Sequence, residues 1–284
     1  MSLPPVEPLV RLPPGPVDLS SIQTDATPGF EGDKEAGEAE LAAIGPELAG
    51  VQERLFAERT TGSPRSLLLV LQGMDTSGKG GVLRYTVGLV DPQGVQIKAF
   101  KAPTKTELSR DFLWRIKRAL PEPGHIGVFD RSHYEDVLIA RVHQLASAAE
   151  IERRYGAIND FEAELVASGT VVLKCMLHIS AVEQKERLLS RLDDPAKHWK
   201  FNPGDVDERA HWAAYQDAYE IALERTNTEV APWHVVPSDR KWSRNLTIAR
   251  LLNERLKAMA PVWPVADFDV EEQRARLLNE VLQT

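Results

Sequence analysis

Residues 72–81 read QGMDTSGKGG, a glycine-rich stretch with one lysine and one aspartate directly after the apolar run SLLLVL. Gly73, Gly78, Gly80 and Gly81 let the backbone approach an anion and turn its N–H groups inward. Lys79 adds a full positive charge, and a helix starting near it adds the positive end of its dipole. This is the Gly-x4-Gly-Lys pattern of a phosphate loop, made specific by the strand expected before it and the helix expected after it. The usual loop follows its lysine with Ser or Thr, whose hydroxyl helps hold Mg²⁺. Here Gly80 stands in that position.

Magnesium takes hard oxygen ligands and often uses only one or two carboxylates besides water and phosphate. Asp75 lies inside the loop and Asp130 ends the apolar run HIGVFD, so both are expected at the carboxyl ends of parallel strands, facing one crevice. They are the expected metal-holding pair that replaces the missing hydroxyl. An aspartate beside incoming phosphate is repulsive unless a cation intervenes, so the pairing itself implies a metal. The competing reading turns Asp75 outward toward Arg84, itself a phosphate-binding candidate.

A second cluster, FDRSHYEDV, follows Asp130. Arg131 presents a rigid donor fork suited to phosphate oxygens. Ser132 and Glu135 have capping-box spacing and read as structural, and His133 as a locally bonded histidine without a Ser–His–Asp companion. Basic residues gather again at Arg191, Lys197, Lys200 and Arg209, then at Arg240, Lys241 and Arg244. Arg191 and Arg244 are favoured because they fall at helix ends beside the crevice. Lys98, Lys101 and Lys105 leave the second strand and are candidates for the acceptor side.

These residues need a frame. SLLLVL (66–71), VQIKAF (95–100), HIGVFD (125–130), GTVVLKCML (169–177) and PWHVVP (232–237) read as buried strands, with helical patterns between them. The helices are expected over 34–59, bent or restarted at Gly45-Pro46, then from Lys79 to about Gly88, over 107–120, through HYEDVLIARV, and over 148–168, 180–192 and 240–260. Buried strands alternating with helices predict an α/β fold, a parallel sheet covered on both faces. Residues 193–230 carry no strand signal and read as a helical lid. Trp199 and Trp212 are expected to pack that lid, and Trp114 and Trp242 to sit in the core. Residues 1–33, rich in Pro and Gly, read as a poorly ordered arm, and 34–284 as one domain ending in a tail over 261–284.

The 284 residues carry a net charge of −8 and a single cysteine, Cys175. That balance argues against a nucleic-acid coat protein, and one cysteine rules out an intrachain disulfide framework. Seven histidines without metal-ligand spacing make a zinc site unexpected. Neither a signal peptide nor an apolar stretch of spanning length is read, so the expectation is a cytoplasmic protein with no membrane or nucleic-acid partner.

GMDTSGKGG, FKAPTKTELSRDFLWR, FDRSHYEDV, SRLDDPAKHWKF and PWHVVPSDRKWSRN, in that order, resemble polyphosphate kinase family 2 from about residue 34 to 257. The resemblance implies a P-loop kinase fold like that of thymidylate kinase. It also implies phosphoryl transfer between inorganic polyphosphate and a nucleoside mono- or diphosphate, with Mg²⁺ or Mn²⁺, in a homodimer or homotetramer. It places the loop lysine at Lys79 and the loop carboxylate at Asp75. The strand-end pair falls on Asp130 and Arg131, the lid cations on Arg191, Lys197 and Lys200, and the late arginine on Arg244. The family lacks the loop hydroxyl, so Gly80 is no departure from it, whereas FNPGD after Lys200 leaves the lid shape open. SHYEDV and DPQGVQIKAFKAPT look like short members that include dual-acceptor enzymes, and Asp130 like the diphosphate-using ones. ADP or GDP is therefore the expected acceptor, with AMP as a second. The rivals are an ATP-dependent nucleoside monophosphate kinase and a nucleotide- or phosphate-sensing regulatory protein. The first accounts less well for the missing hydroxyl, and the second leaves the lid and paired carboxylates unexplained.

Overall fold

The computed structural model describes residues 3–280. All five apolar runs form strands: β1 (Ser66–Gln72), β2 (Val95–Ala99), β3 (Ile126–Asp130), β4 (Thr170–His178) and β5 (Trp233–Pro237). They pair in parallel in the order β2-β3-β1-β4-β5, so β1 is central and every strand ends on the same side. Along β1, Leu67, Leu69 and Leu71 face one helical layer while Leu68 and Val70 face the other. All five are fully buried, each worth roughly 1.5–3 kcal/mol. The phosphate loop is thus mounted on the central strand, buried along its whole length.

Helices Lys34–Glu58 and Lys241–Met259 cover one face, and Ala148–Ala167 and Trp212–Thr226 the other. The first of these continues through Pro46 as one helix, so of the bend or restart expected at Gly45-Pro46 the restart does not occur. The expected lid is made of a 3-10 turn Pro195–Lys200 and helices Gly204–Arg209 and Trp212–Thr226.

Further expectations are corrected, among them HYEDVLIARV, which forms a 3-10 turn (His133–Asp136) and a separate single turn (Ile139–Val142). Residues 107–120 do not form one helix but two single turns, Lys105–Leu108 and Trp114–Lys117. Asp111 Oδ1 accepts from Leu113 N and Ser109 Oγ donates to Thr106 O, local bonds that compete with helix continuation and leave Leu108 exposed. The described part of the N-terminal arm is also not loose. Arg11 bridges to His234 and Leu12 N donates to Trp233 O, so the arm covers the free edge of β5. Val6 and Val10 then pack under one helical layer and Leu12 and Leu19 under the other. Glu254 accepts from the N–H groups of Val6 and Glu7, and Arg250 donates to the carbonyls of Pro28 and Gly29. At the other end, helix Val270–Leu278 buries none of its residues, and residues 281–284 of the expected tail lie outside the described residues.

Candidate active site

After Gln72 the chain turns through Gly73 (φ 149°), Thr76 (φ 64°) and Gly78 (φ 110°) before Lys79 opens the Lys79–Tyr85 helix. The four glycines serve different ends. A Cβ at Gly73 would lie 2.7 Å from Leu177 O. At Gly78 it would overlap Nη1 of Arg244, and at Gly81 it would press on Nη2 at 2.5 Å. Gly80 faces open space. Two of the glycines therefore make room for an arginine from the last core helix.

Arg244 is 3% exposed and donates to Ser77 O and to Asn245 Oδ1. No carboxylate pairs with it among the described residues. Burial, reinforced by Arg187, brings its pKa down to about 9, so the group is short of an anion. Arg187 staples the loop from outside: it donates to the carbonyls of Thr76, Ser77, Ser238 and Asp239 and pairs with Glu183 at 2.7 Å. The left-handed backbone of Thr76 is held by that staple. Arg187, Arg191, Lys197, Lys200, Lys241 and Arg244 share a pocket of about 260 Å³ against Thr76, Gly78 and Gly81.

Across the loop the lining changes. Asp75, Arg131, Glu135, Asp205, Tyr215 and Tyr219 face a cavity of about 230 Å³. Arg131 sits in a left-handed conformation (φ 64°), which carries its guanidinium back to Asp75 Oδ1 at 2.6 Å. Burial pulls its pKa down, but Glu135 and Asp75 outweigh that and hold the guanidinium charged. Burial pushes the Glu135 carboxyl up, against the pull of Arg131 and Lys79. Lys79 is buried under the loop, where its ammonium donates to Gly73 O at 2.8 Å. Desolvation and then Arg131 lower its pKa, while Asp75 and Asp130 both oppose them, so both carboxylates act on this ammonium.

Asp130 forms no ion pair among the described residues, and Asp75 engages Arg131 through Oδ1 alone. No set of three or more His, Cys, Asp or Glu converges on one metal position among the described residues. Two hard carboxylates beside a phosphate loop still suit Mg²⁺, which fills the rest of its shell with water and phosphate oxygens.

The family model for polyphosphate kinase 2 matches residues 31–263. The chain belongs to the polyphosphate kinase 2 family. It is 43% identical over 252 residues to an AMP/ADP-polyphosphate phosphotransferase of Meiothermus ruber, covering 89% of this chain and 93% of the relative. An ADP-polyphosphate phosphotransferase of Rhodopseudomonas palustris is 39% identical over 260 residues, covering 87% and 88%. The crystal structure of polyphosphate kinase 2 from Arthrobacter aurescens TC1 superposes with a TM-score of 0.96 at 52% identity over 99% of both chains. The chain is accordingly an enzyme that transfers phosphoryl groups between polyphosphate and nucleotides.

Within this polyphosphate kinase 2 frame, Gly73, Asp75 and Arg131 line one pocket, and Gly78, Gly81, Arg191, Lys197, Lys200 and Arg244 line the other. Arg191 reaches Asp205 at 3.3 Å and Lys200 O at 3.0 Å, tying the lid to itself. Arg209 bonds Gln184, which in turn donates to Asp75 O. Lys79, Gly80 and Asp130 sit at the loop and the end of β3 without lining either pocket, and three further candidates lie away from the site. Lys98 and Lys101 are exposed at the edge strand, and Arg84 points to solvent over the ring of Tyr85, so none lines either pocket. Asp75 meets Arg131 and not Arg84.

Glu135 is corrected from cap to cavity wall. Ser132 Oγ takes its bonds from Tyr134 N and Gln72 Nε2, no box forms, and Glu135 is left free to face Arg131. Arg187 was not a candidate, although it stands one helical turn before Arg191 on the same helix. Trp212 packs against the core as expected, whereas Trp199 is 79% exposed beside Lys200.

Proposed function

We propose that the chain moves the terminal phosphoryl group of inorganic polyphosphate in line onto a nucleoside diphosphate, ADP or GDP, with AMP as a further acceptor and no covalent enzyme intermediate. One observation carries the reading: the Gly73–Lys79 loop separates a pocket with six cations from one holding a single arginine among carboxylates and tyrosines. A polyphosphate chain carries charge on every unit and needs repeated cations along its path. A nucleotide brings its charge only at the phosphate end, which Arg131 can meet, and a neutral nucleoside that suits Tyr215 and Tyr219. Lys79, at the start of the helix that follows the loop, supplies positive charge to neutralise the group in flight. The names of the Meiothermus ruber and Rhodopseudomonas palustris relatives support ADP and AMP as acceptors.

Mg²⁺, replaceable by Mn²⁺, would be held by Asp75 and Asp130 and would offset charge on the phosphate oxygens. Arg131 keeps Asp75 aimed at the crevice, and Arg187 and Arg244 keep the loop carbonyls turned away from the incoming anion. The attacking acceptor phosphate is already ionised, so no strong base is needed. Exposed apolar residues on the tail, Phe268, Leu277 and Leu278, favour association of two or more copies, which light scattering would read as a mass above 31.6 kDa.

The test is a matrix of polyphosphate or ATP as donor against AMP, ADP, GMP and GDP, with and without Mg²⁺. Polyphosphate-driven, metal-dependent formation of nucleoside triphosphate is expected. A strict requirement for ATP would instead establish the nucleoside monophosphate kinase.

A further inference from the structure

β4 places Val172, Lys174 and Met176 on one face, and two of these three are ordinary core residues. Lys174 is fully buried among them. Its Nζ donates to Glu162 Oε2 at 2.6 Å, to Tyr134 OH at 2.9 Å and to Thr226 O at 2.8 Å, which uses all three of its protons. Glu162 Oε1 accepts from Tyr134 OH at 2.8 Å and faces His133 Nε2 at 3.2 Å. Glu162, Lys174, His133, Tyr134 and Thr226 are all at 0% exposure, and none lines either pocket.

A buried ion pair is a poor way to stabilise a core. Well-packed apolar residues of the same volume commonly do as well or better. The partners of Lys174 point to another role. Tyr134 belongs to the turn directly after Arg131, the residue held at φ 64°. Thr226 ends the helix that carries Tyr215 and Tyr219. One ammonium thus ties together two elements that each contribute lining to the same cavity.

We infer that Lys174, with Glu162 and Tyr134, is a positioning group for phosphoryl transfer, fixing the Arg131 turn against the Trp212–Thr226 helix so that the acceptor phosphate meets the loop. The inference rests on reading the Arg131 cavity as the acceptor side. Errors of about an ångström in such alignment cost up to roughly 100-fold in rate, while the phosphate-chain pocket across the loop is untouched.

Lys174→Met strands Glu162 without its cation and can fail for that reason alone, so Tyr134→Phe decides. It removes one hydroxyl and keeps the ring against Trp233 and the ion pair intact. Steady-state kinetics well below the melting temperature should show kcat lowered about 3- to 30-fold and the acceptor KM raised, with the polyphosphate KM within about 2-fold. Arg131→Lys, assayed in parallel, checks the underlying reading: a raised polyphosphate KM in place of a raised acceptor KM would refute the acceptor-side assignment. With that control behaving as expected, a folded Tyr134→Phe with unchanged kcat and acceptor KM would overturn the positioning role. So would a loss shared equally by both substrates' KM values.

Discussion

The guanidinium of Arg244 fills the volume that any side chain at position 78 would need. The glycine that marks the phosphate loop is therefore required twice, by its φ of 110° and by an arginine arriving from the other end of the chain. Gly78→Ala should displace Arg244 and destabilise the fold by about 1–3 kcal/mol, the range for backbone strain. Loss of a preorganised cation should lower kcat by roughly 10²–10³. Pairing it with Arg244→Ala should relieve the clash but not the strain at φ 110°, so stability measured by urea unfolding should recover in part and turnover not at all.

Gly80 offers the opposite case, since nothing lies within 4 Å of a Cβ there. Gly80→Ser would restore the hydroxyl of the usual loop without a clash. Stability should be unchanged or rise by about 0.5 kcal/mol, the helix-propensity gain over glycine. If the carboxylates already hold the metal, polyphosphate-dependent turnover should stay within about 3-fold of wild type. A collapse of activity would mean that the space is needed by substrate.

The edge of the sheet makes the fold sensitive to acid. Burial, against the bond from Nδ1 to Lys174 O, lowers the pKa of His234 from 6.5 to about 4. Between those values the unfolded chain binds more protons than the folded one, so stability falls as pH falls through that window and is unaffected above it. The loss from pH 7 to pH 4.5 should be roughly 2–3 kcal/mol by linkage. His234→Asn, which keeps a donor toward Lys174 O, should flatten that slope in denaturant titrations at several pH values.

Removing either carboxylate's charge should expose the metal requirement. Asp75→Asn and Asp130→Asn are expected to fold, to need about 10-fold more Mg²⁺ for half-maximal turnover, and to lose roughly 10²-fold in kcat. Thermal melts together with a Mg²⁺ titration of turnover check both points, and near-normal activity in one variant would remove that residue from the role.

How much of this could be read beforehand follows from locality. Five strands were legible because each is a short, uninterrupted apolar run between turn residues. The 107–120 segment misled because its spaced apolar residues look helical, while Ser109 and Asp111 divert the backbone. The arm misled because Pro and Gly dominate its composition, and a handful of apolar side chains suffices to seal the β5 edge. Glu135 was masked by a capping spacing that equally brings it round to Arg131. The reason for Gly78 was not legible, because it lies in a contact with Arg244 that only the tertiary fold creates.

In the proposed function, donor and acceptor approach the Gly73–Lys79 loop from opposite sides. The most direct measurement is the pair of KM values, for polyphosphate and for ADP, in Arg244→Lys and Arg131→Lys. Opposite splits are expected, with Arg244→Lys raising the polyphosphate KM and Arg131→Lys raising the ADP KM, each by about 10-fold and with little change in the other. Both variants raising the same KM, or each raising both equally, would contradict it.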